Sequence, residues 1–158
     1  MSMEKYETIF REINLKIDNF NALLVPDFRV AHLDSTNPES YSVIANVHWD
    51  DQVWPCGDLP GVYFLCAYQE GDPAQLGVYV GKASWGKIGG RIWRHLNPHR
   101  AANIYRMNNA VGKPYIIEAI ATIGFRDLRM RSMASALEEF IIAGVRDRVH
   151  LLNAMGNA

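Results

Sequence analysis

The chain of 158 residues predicts an α+β fold, in which a small antiparallel three-stranded central sheet is flanked by helices. Three observations support this prediction. Apolar residues recur at helical spacing near both ends of the chain. Two apolar segments rich in β-branched and aromatic residues, 61–68 and 76–80, are separated by a short polar turn, as in a β-hairpin. A third segment of this kind, 115–123, ends at a glycine.

The N-terminal part of the chain predicts an extension that contains a helix and a strand. Residues 4–24 place apolar side chains on one helical face, and the alternation over residues 41–49 indicates a strand. Residues 50–60 are rich in turn formers and mark a boundary. We therefore expect an acidic N-terminal extension at 1–57 and a main domain at 58–158.

Helices are predicted after the hairpin as well. A glycine-rich loop precedes a short helix at about 91–96, and residues 101–111 predict another helix, which ends at Gly112. The third strand, 115–123, follows. A long helix is predicted at 132–149.

Charge is distributed unevenly along the chain, although the net charge is only −1. Residues 1–72 contain twelve acids and four bases, whereas residues 73–117 contain seven bases and no acid. Such a segment predicts a surface that binds a polyanion, and it is equally typical of a solvated basic face. The seven bases are Lys82, Lys87, Arg91, Arg94, Arg100, Arg106 and Lys113.

Several classes of protein conflict with the sequence. No apolar run approaches the roughly 18 residues of a membrane span, and no signal-peptide core begins the chain, so we expect a cytoplasmic protein without a membrane partner. Cys56 and Cys66 lack the spacing of metal ligands. Residues 81–87 match the G-x-x-x-x-G-K pattern of a P-loop, but Ile88 replaces the Ser or Thr that would reach Mg²⁺.

Candidate catalytic residues lie on the predicted hairpin and on the helix after it. Tyr63 and Tyr79 occupy the two strands, and a phenol can orient water or, with a lowered pKa, act as a general base. A nearby ammonium, that of Lys82, would lower the pKa of such a phenol. Arg91 and His95 share one helix face. The arginine matches two phosphate oxygens, and the histidine can hold a phenol or relay a proton.

The last predicted helix offers a metal ligand. The carboxylate of Glu138 suits Mg²⁺, which keeps most of its waters and takes few protein ligands. Glu139 is the alternative ligand. Ser135 and Glu138 also match a capping box at a helix start, which would give the glutamate a structural role. Asn153, beyond the helix, can hydrogen-bond either the backbone of the site or a phosphate.

The hairpin resembles the paired strand signatures that name the GIY-YIG nuclease superfamily, which includes excision-repair incision nucleases, homing endonucleases and some restriction enzymes. The two signatures are Gly61-Val62-Tyr63 and Val78-Tyr79-Val80-Gly81. Lys82 directly after them is similar to the repair-incision branch, in which that lysine lies beside the attacking water. The resemblance covers residues 60–156.

Residues further along the chain extend the resemblance. Arg91 follows the second signature at a spacing slightly longer than is usual in the family, with His95 one turn later, and Arg94 is the alternative arginine. Residues 137–142 are similar to the glutamate-bearing helix of the family. This similarity favours Glu138 over its neighbour, because Asn153 then falls at the position of the family's late asparagine.

The resemblance implies a metal-dependent endonuclease that hydrolyses DNA phosphodiester bonds with one Mg²⁺ or Mn²⁺ ion held by Glu138. The expected DNA is duplex or branched. The alternative is a nucleic-acid-binding module of the same fold that has lost catalysis, and convergence of the candidate residues in one site would favour the enzyme. The N-terminal extension is outside the resemblance, and we expect it to pack on the main domain, to shield the basic face, or to mediate a homo-oligomer or bind a protein partner. The implied catalytic residues are Tyr63, Tyr79, Lys82, Arg91, His95, Glu138 and Asn153.

Overall fold

The computed structural model describes residues 5–44, 54–96 and 104–153. These residues form an α+β fold with a five-stranded antiparallel sheet. Two short 3-10 turns lie at Pro26–Phe28 and Leu128–Met130. The helices are α1 (Glu7–Asn21), α2 (Ile88–Leu96) and α3 (Met133–Val145), and the strands are β1 (Tyr41–Val43), β2 (Gly61–Gln69), β3 (Asp72–Ala83), β4 (Tyr105–Asn108) and β5 (Pro114–Gly124).

Strand β2 lies inside the sheet, between β3 of the hairpin and β5. The predicted antiparallel hairpin is confirmed, because Tyr63 lies opposite Gly81 and Leu65 lies opposite Tyr79. The sheet has two strands more than the three predicted. Both additional strands pair with β5, β1 near its C-terminal end and β4 near its N-terminal end. In the described part of the sheet, β3 pairs with β2 on one side and with no strand on the other, so β3 is an edge strand.

The prediction of a helix at 101–111 is wrong over the described residues. Instead, β4 runs antiparallel to β5, and the two strands are joined by a turn. The Asn109 side chain accepts hydrogen bonds from the backbone N–H groups of Val111 and Lys113, and Gly112 adopts a φ of +84°. A glycine tolerates that backbone conformation at little cost. Pairing with β5 thus overrides the helical propensity of the isolated segment.

The other predicted elements are present with different ends. The first and last helices are shorter than the predicted 4–24 and 132–149, and the short helix begins three residues before the predicted 91. Of the strand predicted at 41–49, the structure shows β1, and residues 45–49 lie outside the described ranges. Within the described ranges, no helix is long and apolar enough to cross a membrane.

The two faces of the sheet bury different helices. On one face, Phe10, Ile13 and Ile17 of α1 pack with α3 against the sheet. On the other face, α2 buries Ile88 and Ile92. Each fully buried side chain of this size contributes roughly 1.5–3 kcal/mol. The described part of the predicted N-terminal extension therefore completes the same core as the hairpin.

Candidate active site

A cleft of about 440 Å³ lies at the β3 edge of the sheet. Successive side chains of a strand point to opposite faces, so Tyr79 faces α2, whereas Lys82 lies on the face covered by α3. Because β3 is an edge strand, side chains from both faces of the sheet reach one cleft. Its lining residues are Tyr63, Tyr79, Gly81, Lys82, Arg91, Arg94, His95, Glu138 and Asn153.

An aromatic group of two tyrosines and a histidine forms the α2 side of the cleft. Tyr63 is only 2% exposed, and its Oη lies 3.0 Å from Nε2 of His95. The Tyr79 ring packs edge-on against the His95 ring, with 4.8 Å between the centroids. The Tyr63 ring crosses directly over Gly81, where an added Cβ would lie 2.3 Å from Cζ of the ring. A glycine at this position is what allows the phenol to reach the cleft.

Burial sets the protonation of these three groups. It raises the pKa of Tyr63, and the neighbouring Tyr79 adds to the effect. Burial also raises the pKa of Tyr79, with a smaller contribution from Glu138. The pKa of His95 is lowered from 6.5 by burial and then by the charge of Arg91. At neutral pH the histidine is therefore a neutral imidazole next to an un-ionised phenol.

The Lys82 ammonium is directed toward α3. Its Nζ donates a hydrogen bond of 2.7 Å to Oγ of Ser135 and lies 3.9 Å from Oε1 of Glu138. The prediction that this lysine lowers the pKa of a tyrosine is not met: burial raises the pKa of both phenols, and the charge that opposes the rise in both is that of Arg91. The ammonium engages groups on the other face of the sheet. The lysine instead holds the carboxylate side of the cleft in place.

Glu138 faces the cleft, and its side chain is 15% exposed. Burial raises the pKa of its carboxyl group, and Lys82 opposes that effect only in part. The neighbouring Glu139 is exposed. The capping-box interpretation is wrong, because α3 has Ser132 at its N-cap, so Ser135 lies inside the helix with its hydroxyl on the lysine.

Asn153 binds the backbone of β3. Its Oδ1 accepts a hydrogen bond of 3.0 Å from the Val80 N–H, and its Nδ2 donates one of 2.8 Å to the Val80 carbonyl. Nearby, the Leu152 N–H donates to the carbonyl of Val78. The asparagine thus hydrogen-bonds the backbone of Val80, an edge-strand residue between the cleft residues Tyr79 and Gly81. This is one of the two roles predicted for it.

The predicted basic residues separate into two groups. Lys82, Arg91 and Arg94 line the cleft. Lys87 is exposed, with its Nζ 3.9 Å from a carboxylate oxygen of Asp58. Arg91 and Arg94 are exposed on α2, so their guanidinium groups can bind a phosphate that enters the cleft.

The prediction of one continuous basic face from residue 82 to residue 113 is wrong in its extent. Arg106 lies opposite Ile116 on the sheet face that carries α1 and α3, and its Nε and Nη2 donate hydrogen bonds of 2.8 and 3.0 Å to the carboxylate of Glu70. Lys113 lies in the turn between β4 and β5, away from the cleft. The reason is that β4 is a strand whose side chains alternate between faces. Arg100 lies outside the described residues.

The donor chemistry of the cleft fits a hard divalent cation. The carboxylate of Glu138 is the acidic side chain among the lining residues, and the phenols and the open volume leave room for water. In the described part of the chain, no three His, Cys, Asp or Glu residues are grouped as a metal cluster. A single carboxylate with several waters is a set that Mg²⁺ accepts, whereas a structural zinc site would need about four protein ligands.

Comparison of the chain with protein-family models, with curated proteins and with solved structures finds no match. The functional interpretation therefore rests on the geometry of the cleft.

Two residues of the site have roles that the sequence pattern did not indicate. Ser135 fixes the ammonium of Lys82, and Gly81 provides the space for the ring of Tyr63. The signal for Ser135 is its spacing of three residues from Glu138, which places both on one helix face once the helix start is known. The signal for Gly81 is its place in a buried strand, where a glycine often marks a close approach.

Proposed function

We propose that the protein is a metal-dependent endonuclease that hydrolyses DNA phosphodiester bonds at this cleft, through a GIY-YIG-type site with one divalent ion. The observation that supports it is convergence. Side chains from β2, β3, α2, α3 and the segment after α3, which are up to 90 residues apart between Tyr63 and Asn153, line one cleft. On this proposal, β2, β3 and β5 with α2 and α3 are the GIY-YIG-like core, and β1 and β4 are additions.

Each charged residue of the cleft has its own role in hydrolysis. Arg91, with Arg94 beside it, binds the phosphate and neutralises the charge that develops on its oxygens. Glu138 would hold Mg²⁺ or Mn²⁺, which when bound supplies further neutralisation of that charge. Lys82 steadies the carboxylate from 3.9 Å.

Proton transfer follows the hydrogen bond between Tyr63 and His95. An attacking water gives its proton to Oη of Tyr63 while the phenol passes its own proton to the neutral Nε2 of His95, 3.0 Å away. The hydroxide then attacks phosphorus and the bond from phosphorus to the 3′ oxygen breaks. The leaving oxygen takes a proton from solvent, and His95 later releases its proton to solvent. The product carries a 5′-phosphate. The lowered pKa of the histidine keeps the acceptor nitrogen available at neutral pH.

The alternative is a nucleic-acid-binding module without catalysis, which would use the same cations. The position of Glu138 favours the enzyme. Its carboxylate faces the space where a phosphate would lie, so it would oppose binding of a polyanion unless a cation lies between them. A pure binder gains nothing from that side chain.

The test is incubation of purified protein with supercoiled plasmid in Mg²⁺, in Mn²⁺ and in chelator, with Arg91→Ala in parallel. We expect nicked and linear products with metal, none with chelator, and at least a ~10²-fold slower rate for the variant. Binding of the plasmid without cleavage in either metal would favour the module that only binds.

A further inference from the structure

Trp85 is exposed beside the cleft. It lies in the loop between β3 and α2, and its side chain is 84% exposed, more than any other large apolar side chain described. Tryptophan has a large apolar ring that is usually mostly buried in folded proteins, so an indole in water indicates a binding partner more often than an exposed leucine does. Both elements that flank this loop contribute residues to the cleft.

The loop is tied to the carboxylate side of the cleft. Ser84 Oγ lies 3.5 Å from Ser135 Oγ, which accepts the hydrogen bond from Lys82. The Arg131 guanidinium lies 5.4 Å from the centroid of the Trp85 ring. Arg131 comes just before Ser132, the N-cap of α3, so the indole lies by the N-terminal end of the helix that carries Glu138.

Arg131 has unused hydrogen-bonding capacity. Its Nε is buried and has no hydrogen-bond partner among the described residues, and no described acid forms an ion pair with it. A guanidinium without a described ion-pair partner, next to an exposed indole, places positive charge beside an apolar ring. The cation can contact a phosphate, and the ring can stack on a base.

We propose that Trp85 and Arg131 form a stacking subsite for an unpaired base of the DNA strand whose phosphate lies in the cleft. The bases of an intact duplex stack on one another and present no free face to the indole. The protein therefore prefers single-stranded, flapped or branched DNA to blunt duplex. This inference rests on the proposed function for the position of the scissile phosphate.

The position of the subsite also limits which base it binds. The loop of Trp85 contacts Ser135, the partner of the cleft residue Lys82, so the stacked base belongs to a nucleotide close to the cleaved bond. Cleavage is then expected within a few nucleotides of a junction between paired and unpaired DNA.

The experiment measures binding in chelator by fluorescence anisotropy, with labelled single-stranded, flapped and blunt-duplex DNA. Trp85→Ala, Trp85→Phe and the control Val111→Ala are compared with wild type. Val111 is similarly exposed, at 79%, and lies in the turn between β4 and β5 at the opposite end of the sheet. Loss of one base-aromatic stack should weaken binding of unpaired DNA roughly 10-fold and leave blunt duplex nearly unchanged, with Phe retaining most of the affinity.

An abasic nucleotide moved along the flap should then weaken binding to wild type at one position and have no effect there on Trp85→Ala. An equal loss on all three DNAs, or no loss on the unpaired ones, would overturn the subsite. The two proposals fail separately. If the protein cleaves plasmid and Trp85→Ala keeps the wild-type substrate preference, only the subsite is contradicted. If binding depends on Trp85 but neither metal supports cleavage, only the hydrolysis is contradicted.

Discussion

Replacement of Gly81 by alanine is expected to disrupt the cleft through a single contact. The new Cβ would lie 2.3 Å from Cζ and 2.5 Å from Oη of Tyr63, whereas ordinary contacts begin at 3.4 Å. The ring must therefore move by about 1 Å, because β3 is fixed by its pairing with β2. Its hydrogen bond to His95, now 3.0 Å, would lengthen to about 4 Å and be lost.

The consequences are measurable in stability and in activity. Overpacking of this kind lowers the free energy of unfolding by about 1–3 kcal/mol, which urea denaturation followed by circular dichroism resolves. Misplacement of a catalytic group by ~1 Å costs ~10²-fold in rate, measured as plasmid cleavage in Mg²⁺. Gly86→Ala is the control, because an added Cβ there meets no heavy atom within 4 Å.

The Tyr63→Leu background isolates the contact. Without the ring, the alanine at position 81 loses its main obstacle, so most of the stability cost should disappear and the two substitutions should be strongly non-additive. A Gly81→Ala protein that unfolds and cleaves like wild type would refute this reasoning, as would an equal cost in both backgrounds.

Three further predictions follow from the contacts of single residues. Asn153→Ala removes both hydrogen bonds to Val80 and should lower the unfolding free energy by about 1–3 kcal/mol in urea, with cleavage retained at low temperature. Arg106→Ala should leave the DNA affinity within about twofold in anisotropy, because Glu70 binds that arginine and β4 lies on the side of the sheet away from β3. The pKa of His95 is lowered in the folded protein, so as the pH falls this histidine is protonated in the unfolded chain before it is protonated in the folded one. The free energy of unfolding should therefore fall as the pH drops through 6.5. Urea midpoints from about pH 7 to 5 should show this slope weakened in His95→Gln.

The elements that the sequence predicted correctly are those with a clear local pattern. The two strands of the hairpin are rich in β-branched and aromatic residues, and a polar turn separates them, so they could be predicted without any tertiary information. The segment of β4 was misread, because alanine, methionine and arginine favour a helix locally and only pairing with β5 selects the strand.

The candidate site was predictable in its residues and not in its geometry. Tyr63, Tyr79 and His95 lie on regular elements at recognisable spacings, so their chemistry could be proposed from the chain. The partner of Lys82 could not, because it depends on where α3 begins and on which face of an edge strand each side chain lies. A spacing of three between Ser135 and Glu138 fits a helix start and a helix interior equally well.

Glu138 is the proposed anchor of the catalytic cation, and the most direct measurement of that role compares Glu138→Gln with Glu139→Gln for DNA binding and for cleavage in Mg²⁺. Loss of the cleft carboxylate removes a negative charge near the phosphate and the expected ligand of the ion. Glu138→Gln should therefore bind DNA as tightly as wild type or more tightly, without cutting it. Glu139→Gln should cleave within a few-fold of wild type, because its side chain is exposed about 100° around α3. A Glu138→Gln protein that cleaves at the wild-type rate would contradict the account.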